Sequence, residues 1–330
     1  MAAQNSSRQP ELPAQARVVV ILPAHNEEQT IAATIEGFHW ALPEAEIYVV
    51  DNASQDATAQ VASECIKTIG LEGRGGILQE LRQGKGNAVR RAFLELDADV
   101  YVLADADLTY PASQVRELIA PVLAGQADMV VGDRHSGGHY AGDNKRPLHN
   151  FGNQFVKYLV NTLFRAQLKD VMSGYRVFNR RFVKSYPITV EGFEIETDMT
   201  LHALDKRFRI VEVPVEYKDR PPGSVSKLNT FADGARVIST ISNILRYYRP
   251  LLFFGGTAAL LAVAGLLTGI PVLQDWFRYH YIYHVPLAIL STGIELFAVV
   301  FFAIGLILDS NSHYEKRNFE RELLSIDVIR

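Results

Sequence analysis

The amino-acid sequence predicts an α/β protein with a mainly parallel sheet that helices cover on both faces, followed by an interfacial helix and two transmembrane helices. Three observations support this fold class. Segments rich in β-formers alternate with helical patterns in the first half of the chain, polar side chains follow several of these segments, and two long apolar segments lie near the carboxyl end. Alternation of this kind produces parallel strands, because each strand is joined to the next through a helix.

The predicted strands and helices alternate between residues 17 and 132. Short apolar, β-branched runs predict strands, and apolar residues repeated every three or four positions predict helices. The strands are residues 17–22, 46–50, 77–81, 100–104 and 129–132, and the helices between them are residues 27–42, 56–70, 86–96 and 112–124. In an open sheet of this type, ligands bind at the carboxyl ends of the strands.

Composition limits the classes of function. With 330 residues, of which 48% are hydrophobic and 21% are charged, the chain can bury a full core and carry an additional segment. The net charge of -4 provides no strongly basic face, so we expect no nucleic-acid partner. Because Cys65 is the only cysteine, an intrachain disulfide is excluded, and the apolar pattern around Cys65 indicates helix packing.

The most informative segment is Asp105-Ala106-Asp107, directly after the fourth predicted strand. Two carboxylates one residue apart in a turn are hard oxygen ligands, which suit a Mg²⁺ or Mn²⁺ ion that carries a diphosphate. This chemistry is typical of an enzyme that uses a nucleotide-activated donor. For an isolated pair of this kind, an acidic turn that only caps the next helix would be the preferred interpretation.

Polar segments also follow the first two strands. Residues 23–28 read Pro-Ala-His-Asn-Glu-Glu, and residues 51–58 read Asp-Asn-Ala-Ser-Gln-Asp-Ala-Thr. Neither is a Gly-x-Gly-x-x-Gly turn, which argues against a dinucleotide oxidoreductase. For Asp51, at a strand end, we favour ligand binding, whereas for Asn26 and Asp56 helix capping and binding are equally supported.

A further segment, residues 84–88, reads Gly-Lys-Gly-Asn-Ala and places one cation and flexible backbone before a helix, which is compatible with a phosphate or nucleobase. Together these four segments resemble family 2 glycosyltransferases of the GT-A fold. The order and the strand-end positions of the four segments match that family. Residues 170–176 and 220–227 are similar to later motifs of dolichyl-phosphate mannose synthases and bacterial polyprenyl-phosphate glycosyltransferases.

The resemblance implies a role for each matching residue on the donor side. It implies a nucleotide-sugar donor, a UDP- or GDP-sugar, and a Mg²⁺ or Mn²⁺ cofactor. The implied metal ligands are Asp105 and Asp107. The implied catalytic residues are these two acids and Asp170, which would face the transferred sugar. The implied donor-binding residues are Pro23, Ala24, Glu27, Asp51, Lys85, Gly86, Asp105 and Ala106.

The implied acceptor is a polyprenyl phosphate. The second pKa of this phosphate is about 6, so it is largely dianionic at neutral pH and can attack without a strong base. Cationic groups must instead reduce its repulsion from the donor diphosphate. The implied phosphate-binding residues are Arg134, Arg146, Asn150, Arg220 and Lys227, with Asn150 standing where the relatives carry a serine. From the residues alone, ordinary ion pairs would be preferred for the arginines, for example Arg134 with Asp133 or Asp143.

Two apolar segments predict membrane helices. Residues 251–273 contain no charged side chain and residues 285–308 contain only Glu295, and each segment is long enough to cross a bilayer. A buried helical hairpin of a soluble protein is the alternative interpretation. Arginine and lysine flank the outer ends of the pair, whereas the connecting loop is rich in tyrosine, so both termini are expected in the cytoplasm. Glu295 is expected to contact another helix, a neighbouring subunit or a polar cavity.

The expected domain organisation has five parts. Residues 231–248 repeat apolar side chains between arginines, which indicates an amphipathic helix at the membrane surface. The parts are a disordered N-terminus (1–16), a catalytic domain (17–230), the interfacial helix (231–250), two transmembrane helices with a short outer loop (251–308) and a cytoplasmic tail with a short helix (309–330). The tail is expected to support self-association into a homo-oligomer.

The expected function is the inverting, metal-dependent transfer of a sugar from a nucleotide-diphosphate donor to polyprenyl phosphate at the cytoplasmic face of a membrane. Two alternatives remain open at this point. One is a membrane-attached glycosyltransferase that acts on a glycolipid or polysaccharide. The other is a catalytically silent membrane scaffold that binds nucleotide sugars.

Overall fold

The structure is a computed structural model that describes residues 16–136, 147–192, 194–218 and 241–326. The chain divides into two compact units. The first unit contains the described residues up to 218, and the second contains those from 241 to 324.

The first unit is built on a seven-stranded sheet with the strand order β3-β2-β1-β4-β6-β5-β7. Its strands are β1 (Val18–Ala24), β2 (Glu46–Asn52), β3 (Gly75–Glu80), β4 (Val100–Leu103), β5 (Met129–Asp133), β6 (Arg176–Asn179) and β7 (Ile210–Pro214). Neighbouring strands are parallel except that β6 is antiparallel to both β4 and β5. The predicted mainly parallel α/β sheet is therefore confirmed.

Helices connect the strands of the first unit. They are α1 (Ile31–Ala41), α2 (Thr58–Thr68), α3 (Lys85–Glu95), α4 (Val115–Leu123), α5 (Pro147–Phe164), α6 (Arg180–Ser185) and α7 (Ile195–Asp205), with a 3₁₀ turn at Ala112–Gln114 before α4. Strands β4 and β5 are buried along their whole length. Because successive side chains of a strand point to opposite faces, complete burial means that both faces of the sheet are covered.

The five predicted strands and the four predicted helices between them are confirmed, with ends that differ by a few residues. Strands β6 and β7 are not predicted. Strand β6 begins with Arg176, a charged residue that is fully buried. Its guanidinium donates to the carbonyl oxygens of Ser173 and Val171 at 2.8 and 3.0 Å and to Thr200 Oγ1 at 3.0 Å. These bonds offset the cost of burying the charge, which no local pattern in the sequence reveals.

The second unit consists mainly of two long helices. Residues 241–248 are helical, and they are the described part of the predicted interfacial helix. Helix α8 (Pro250–Tyr279) and helix α9 (Val285–Ile326) are long and apolar enough to cross a membrane. Most of their apolar side chains are exposed within this chain, which favours a lipid environment over a soluble core. Residues 309–326 of the predicted tail are helical, but they continue α9 without a break and do not form a separate short helix.

Polar contacts join α8 to α9 and to the loop between the two helices. Ser291 Oγ donates to the carbonyl oxygen of Gly265 at 2.8 Å, and the Glu295 side chain lies against the same glycine. Asp275 Oδ2 accepts hydrogen bonds from the backbone N–H groups of Tyr283 and His284, at 2.9 and 3.0 Å. Glu295 therefore contacts another helix, as expected from its position in an apolar segment.

Acid is expected to destabilise the first unit partly through His202. Burial beside Phe182, Tyr186 and Phe208, together with the charge of Lys206, lowers the pKa of His202 to about 4. In the unfolded chain the imidazole has a pKa of about 6.5. Between these values the unfolded chain binds more protons, so the free energy of unfolding should fall by up to roughly 3 kcal/mol as the pH decreases from about 6.5 to about 4.

The measurement is urea unfolding of the native chain and of His202→Phe, in detergent, at pH 7 and pH 4.5. The variant keeps an aromatic ring in the cluster but has no group to titrate, so its stability should decrease less over this interval. An equal decrease in both proteins would show that His202 does not contribute to acid destabilisation.

Candidate active site

The loops after β1 and β2 are joined by reciprocal hydrogen bonds. Asn26 Oδ1 accepts a bond from the Gln55 N–H at 2.7 Å, and the Asn26 N–H donates to Ser54 Oγ at 3.1 Å. The Glu28 N–H donates to Asp56 Oδ2 at 3.3 Å, while Asp56 Oδ1 accepts from the Thr58 N–H at the start of α2. Asn26 and Asp56 thus hold the two loops together, and Asp56 also satisfies a backbone group at the start of a helix.

The residues predicted to hold the donor base and ribose lie at one edge of the sheet. Pro23 and Ala24 end β1 and pair with Val50 and Asp51 of β2. Asp51 is buried, and its Oδ1 accepts a hydrogen bond from the N–H of Ser54 in the loop that follows β2. At this edge, the Asp51 carboxylate therefore lies beside the turn that follows β1.

Glu27 lies in the turn between β1 and α1. Its N–H donates to Thr58 Oγ1 at 2.8 Å, and its Oε2 accepts from Thr30 Oγ1 at 3.1 Å. The turn is therefore bonded both to α2 and to the residue that precedes α1. Glu27 follows β1, and Asp51 lies near the end of the neighbouring parallel strand β2, which places both carboxylates at the same end of the sheet.

The acid pair follows β4 in a rigid turn. Asp107 is buried, and its Oδ1 accepts hydrogen bonds from the N–H and the Oγ1 of Thr109, at 3.1 and 2.6 Å. Leu108 between them has a φ of 63°, a left-handed conformation that costs roughly 1–2 kcal/mol for a residue with a side chain. Thr34 Oγ1 on α1 donates to the carbonyl oxygen of Ala106 at 3.2 Å. The surrounding bonds hold this strained turn in place.

Lys85 lies buried between two carboxylates. Its ammonium donates to Asp105 Oδ1 and to Glu196 Oε1, the second at 2.5 Å. The Lys85 and Glu196 side chains are 7% and 8% exposed, whereas Asp105 is 29% exposed. Burial alone would lower the pKa of Lys85, but the two carboxylates outweigh it and raise the pKa, so the ammonium stays charged. The sequence does not predict Glu196 as a site residue.

The two glycines beside Lys85 allow the chain to approach this helix end closely. A Cβ atom on Gly86 would lie 2.1 Å from the carbonyl oxygen of Val190, and the Gly86 N–H donates to the carbonyl oxygen of Glu191 at 2.9 Å. Gly84 has a φ of 132°, a conformation that favours glycine. The Gly-Lys-Gly segment therefore fixes the chain before α7 to the start of α3.

Asp170 and Arg134, both predicted site residues, form a buried ion pair. Arg134 Nε and Nη2 donate to the two Asp170 oxygens at 2.7 and 2.9 Å. Burial would raise the pKa of Asp170, but the hydrogen bonds and charge of Arg134 outweigh burial and hold that pKa below its usual value. Arg134 also lies over the ring of Tyr217, 5.6 Å from its centre. Arg134 is thus paired with an acid that lies 36 residues later in the chain.

The other predicted phosphate-binding residues are described less fully. Asn150 lies in α5. Arg146, Arg220 and Lys227 lie outside the described residues.

The chemistry of the acid pair fits a divalent cation that is shared with a substrate. Within the described ranges, no three His, Cys, Asp or Glu side chains are grouped so that they could hold a metal by themselves. Proteins commonly bind Mg²⁺ through one or two carboxylates, with substrate phosphates and water as the other ligands. Asp105 and Asp107 provide such a pair, and the partly exposed Asp105 is accessible to a ligand from solvent.

Comparisons with known proteins show which family the chain resembles. A family model described as Glycosyl transferase family 2 matches residues 19–186. Glycosyltransferase AglJ of Haloferax volcanii is 28% identical over 309 residues, which cover 90% of this chain and 94% of that protein. The polyprenol monophosphomannose synthase of Mycolicibacterium smegmatis is 26% identical, over 64% of this chain and 81% of its own. The dolichyl-phosphate hexose transferase of Haloferax volcanii is 27% identical, over 69% and 93% respectively.

A solved structure shares the fold of the first unit. Glucosyl-3-phosphoglycerate synthase from Mycobacterium tuberculosis, in complex with Mn²⁺ and uridine-diphosphate-glucose, superimposes with a TM-score of 0.52. The two proteins are 22% identical, and the match covers 70% of this chain and 79% of the synthase. At this level of identity the comparison supports the fold alone.

Replacing Arg134 should destabilise the first unit strongly. In Arg134→Met the buried Asp170 carboxylate loses its bidentate partner, and breaking a buried pair in this way costs about 3–5 kcal/mol. Arg180→Met is the matched control, because Arg180 pairs with Asp97, whose side chain is 60% exposed. Loss of such a surface pair costs at most about 1 kcal/mol.

Urea unfolding of the three proteins in detergent at pH 7 measures both costs. The low pKa of Asp170 gives the native chain stability that is lost as the pH falls through that pKa, so the difference between native chain and Arg134→Met should narrow below about pH 4. Similar losses in the two variants would show that the Arg134–Asp170 pair contributes no more than a surface pair.

Proposed function

The chain belongs to glycosyl transferase family 2, and from this we propose that it transfers a sugar from a nucleoside-diphosphate donor to a polyprenyl phosphate at the cytoplasmic face of a membrane. The observation that carries the proposal is the presence, in one chain, of an acid pair at the strand ends and of two long apolar helices. Relatives named as a polyprenol monophosphomannose synthase and a dolichyl-phosphate hexose transferase support the choice of acceptor.

The donor would bind at the sheet edge formed by the ends of β1, β2 and β4. Pro23 and Ala24 would border the base, and Glu27 and Asp51 would accept hydrogen bonds from the base or ribose. Asp105 and Asp107 would hold Mg²⁺ or Mn²⁺ together with the diphosphate. When bound, the ion supplies positive charge for the departing nucleoside diphosphate.

The acceptor phosphate would attack the anomeric carbon directly. Its oxygen is already anionic at neutral pH, so the site has to position this oxygen and has no need to deprotonate it. A single displacement by this oxygen inverts the configuration at the anomeric carbon. Asp170, fixed by Arg134, would face the transferred sugar, and Arg146, Asn150, Arg220 and Lys227 would bind the acceptor phosphate.

The second unit would anchor the enzyme to the bilayer. Arg246 and Arg249 precede α8, and Lys316, Arg317 and Arg321 lie in the polar end of α9. Cations at the outer ends of both helices favour a cytoplasmic location for both termini. The lipid acceptor would then be available in the same leaflet that the first unit faces.

The proposal predicts label transfer to a lipid phosphate. The purified full chain should move label from a UDP- or GDP-sugar to polyprenyl phosphate when Mn²⁺ or Mg²⁺ is present, because the donor diphosphate must be neutralised as it leaves. The product is measured by extraction into organic solvent, and chelation of the metal should abolish it. Transfer only to a glycolipid or a sugar acceptor would contradict the proposed acceptor.

Asp107→Asn should reduce the rate of transfer at least about a hundredfold, because the metal that holds the leaving group would lose one anionic ligand. Asp56→Asn is the matched control. Asp56 and Asp107 both accept hydrogen bonds through Oδ1 from the N–H and Oγ1 of a threonine two residues later. The two variants therefore perturb the same type of turn, and Asp56→Asn should keep most of the rate. Full transfer by Asp107→Asn would remove the metal assignment.

A further inference from the structure

One buried carboxylate beside the site has no role in the proposed reaction. Glu196 lies in the first turn of α7 and is 6% exposed. Acidic residues at this position normally stabilise a helix from an exposed location, through the positive end of the helix dipole. Glu196 is instead bonded to the ammonium of Lys85 at 2.5 Å, away from solvent.

The Lys85 ammonium is also bonded to Asp105, one of the two carboxylates that the proposed function assigns to the metal. Asp105 Oδ1 accepts a hydrogen bond from Lys85. A carboxylate that already neutralises an ammonium is a weaker ligand for a second cation, and the two positive charges repel each other. Asp105 can act as a full metal ligand only if another acid takes the ammonium, and Glu196 is already bonded to it.

We propose that Glu196 is a positioning residue that takes over the Lys85 ammonium when a divalent cation binds at Asp105. The inference rests on the proposed function, because it requires Asp105 to be a metal ligand. In the structure, Lys85 is bonded to both acids. The exchange requires only that Lys85 give up its bond to Asp105 while it keeps its bond to Glu196, so the buried ammonium remains paired throughout.

The backbone at Gly174 packs closely against two of the three side chains. A Cβ atom on Gly174 would lie 2.6 Å from Asp105 Oδ2 and 3.0 Å from Lys85 Nζ. A side chain at position 174 would therefore displace the ends of the Asp105 and Lys85 side chains. The bond between Gly86 and Glu191 fixes the start of α3 to the chain before α7, so Lys85 and Glu196 are held close together while the ends of their side chains can move.

The test is the affinity for Mn²⁺, measured by calorimetry on the full chain in detergent with saturating UDP or GDP. Glu196→Gln removes the charge that would receive the ammonium, and it should weaken Mn²⁺ binding by about tenfold or more, the equivalent of about 1.4 kcal/mol. Glu194→Gln is the matched control. It removes the same charge from an exposed position two residues earlier, and it should bind Mn²⁺ like the native chain.

Two further variants separate an exchange of the ammonium from simpler effects of Glu196. Glu196→Asp keeps the charge but shortens the side chain by one methylene, so it should also weaken Mn²⁺ binding, by at least about threefold. Native affinity in this variant would mean that the exact position of the carboxylate does not matter, which would overturn the assignment of Glu196 as a positioning residue. In the double variant Lys85→Met with Glu196→Gln, no ammonium competes with the metal for Asp105. The affinity for Mn²⁺ should therefore return to within about threefold of native.

A double variant that binds as weakly as Glu196→Gln alone would also overturn the inference, because Glu196 would then act independently of Lys85. If the double variant does not fold, as judged by circular dichroism, Glu196→Asp decides. Failure of the native chain to bind Mn²⁺ with either nucleotide would contradict the proposed metal site itself. Native binding with equal affinities in Glu196→Gln and Glu194→Gln would overturn the exchange and leave the proposed function intact.

Discussion

The buried ammonium of Lys85 is the interaction that connects the core of the first unit to its candidate site. It joins the start of α3, the turn after β4 and the first turn of α7 through Asp105 and Glu196. A charge in a protein interior is costly unless opposite charges surround it, so the fold that buries Lys85 must also bring both acids to it. The position of Asp105, and with it the place where a donor diphosphate would bind, is therefore set by the same contacts that stabilise the core.

Backbone strain is concentrated at the same edge of the sheet. Asn26, Ala53 and Leu108 have φ values of 56°, 54° and 63°, and they lie in the loops that follow β1, β2 and β4. Residues with side chains adopt this conformation only where surrounding contacts enforce it. The bonds between the first two loops and the Asp107–Thr109 contact provide this enforcement. Strained but fixed loops are what a site needs in order to present its polar groups without rearrangement.

The parallel half of the sheet and its acid pair could be predicted because the signals are local: continuous apolar strands, each followed by polar residues. The rest depends on contacts that are distant in sequence. Arg176 interrupts the apolar pattern of β6, and its burial is offset by two carbonyl groups of the preceding loop and by Thr200, which lies 24 residues later. Arg134 pairs with Asp170 across a separation that no pattern encodes. Glu196 looks like an ordinary acid at the start of a helix, and only its burial beside Lys85 reveals another role.

In the second unit, a polar contact likewise joins elements that are distant in sequence, the helices α8 and α9. In the membrane location that we propose, apolar side chains alone could not make α8 prefer α9 over lipid, because lipid tails are as apolar as leucine. Gly265 has no side chain, and a Cβ atom there would lie 2.5 Å from Glu295 Oε1. The same glycine accepts a hydrogen bond from Ser291. Small and polar residues therefore coincide at one contact, and Glu295, which would be costly in hydrocarbon, lies against the neighbouring helix. Its buried Oε1 accepts no hydrogen bond from the described residues, so among these residues the bond between the helices at this contact comes from Ser291, and Glu295 contributes close packing against Gly265.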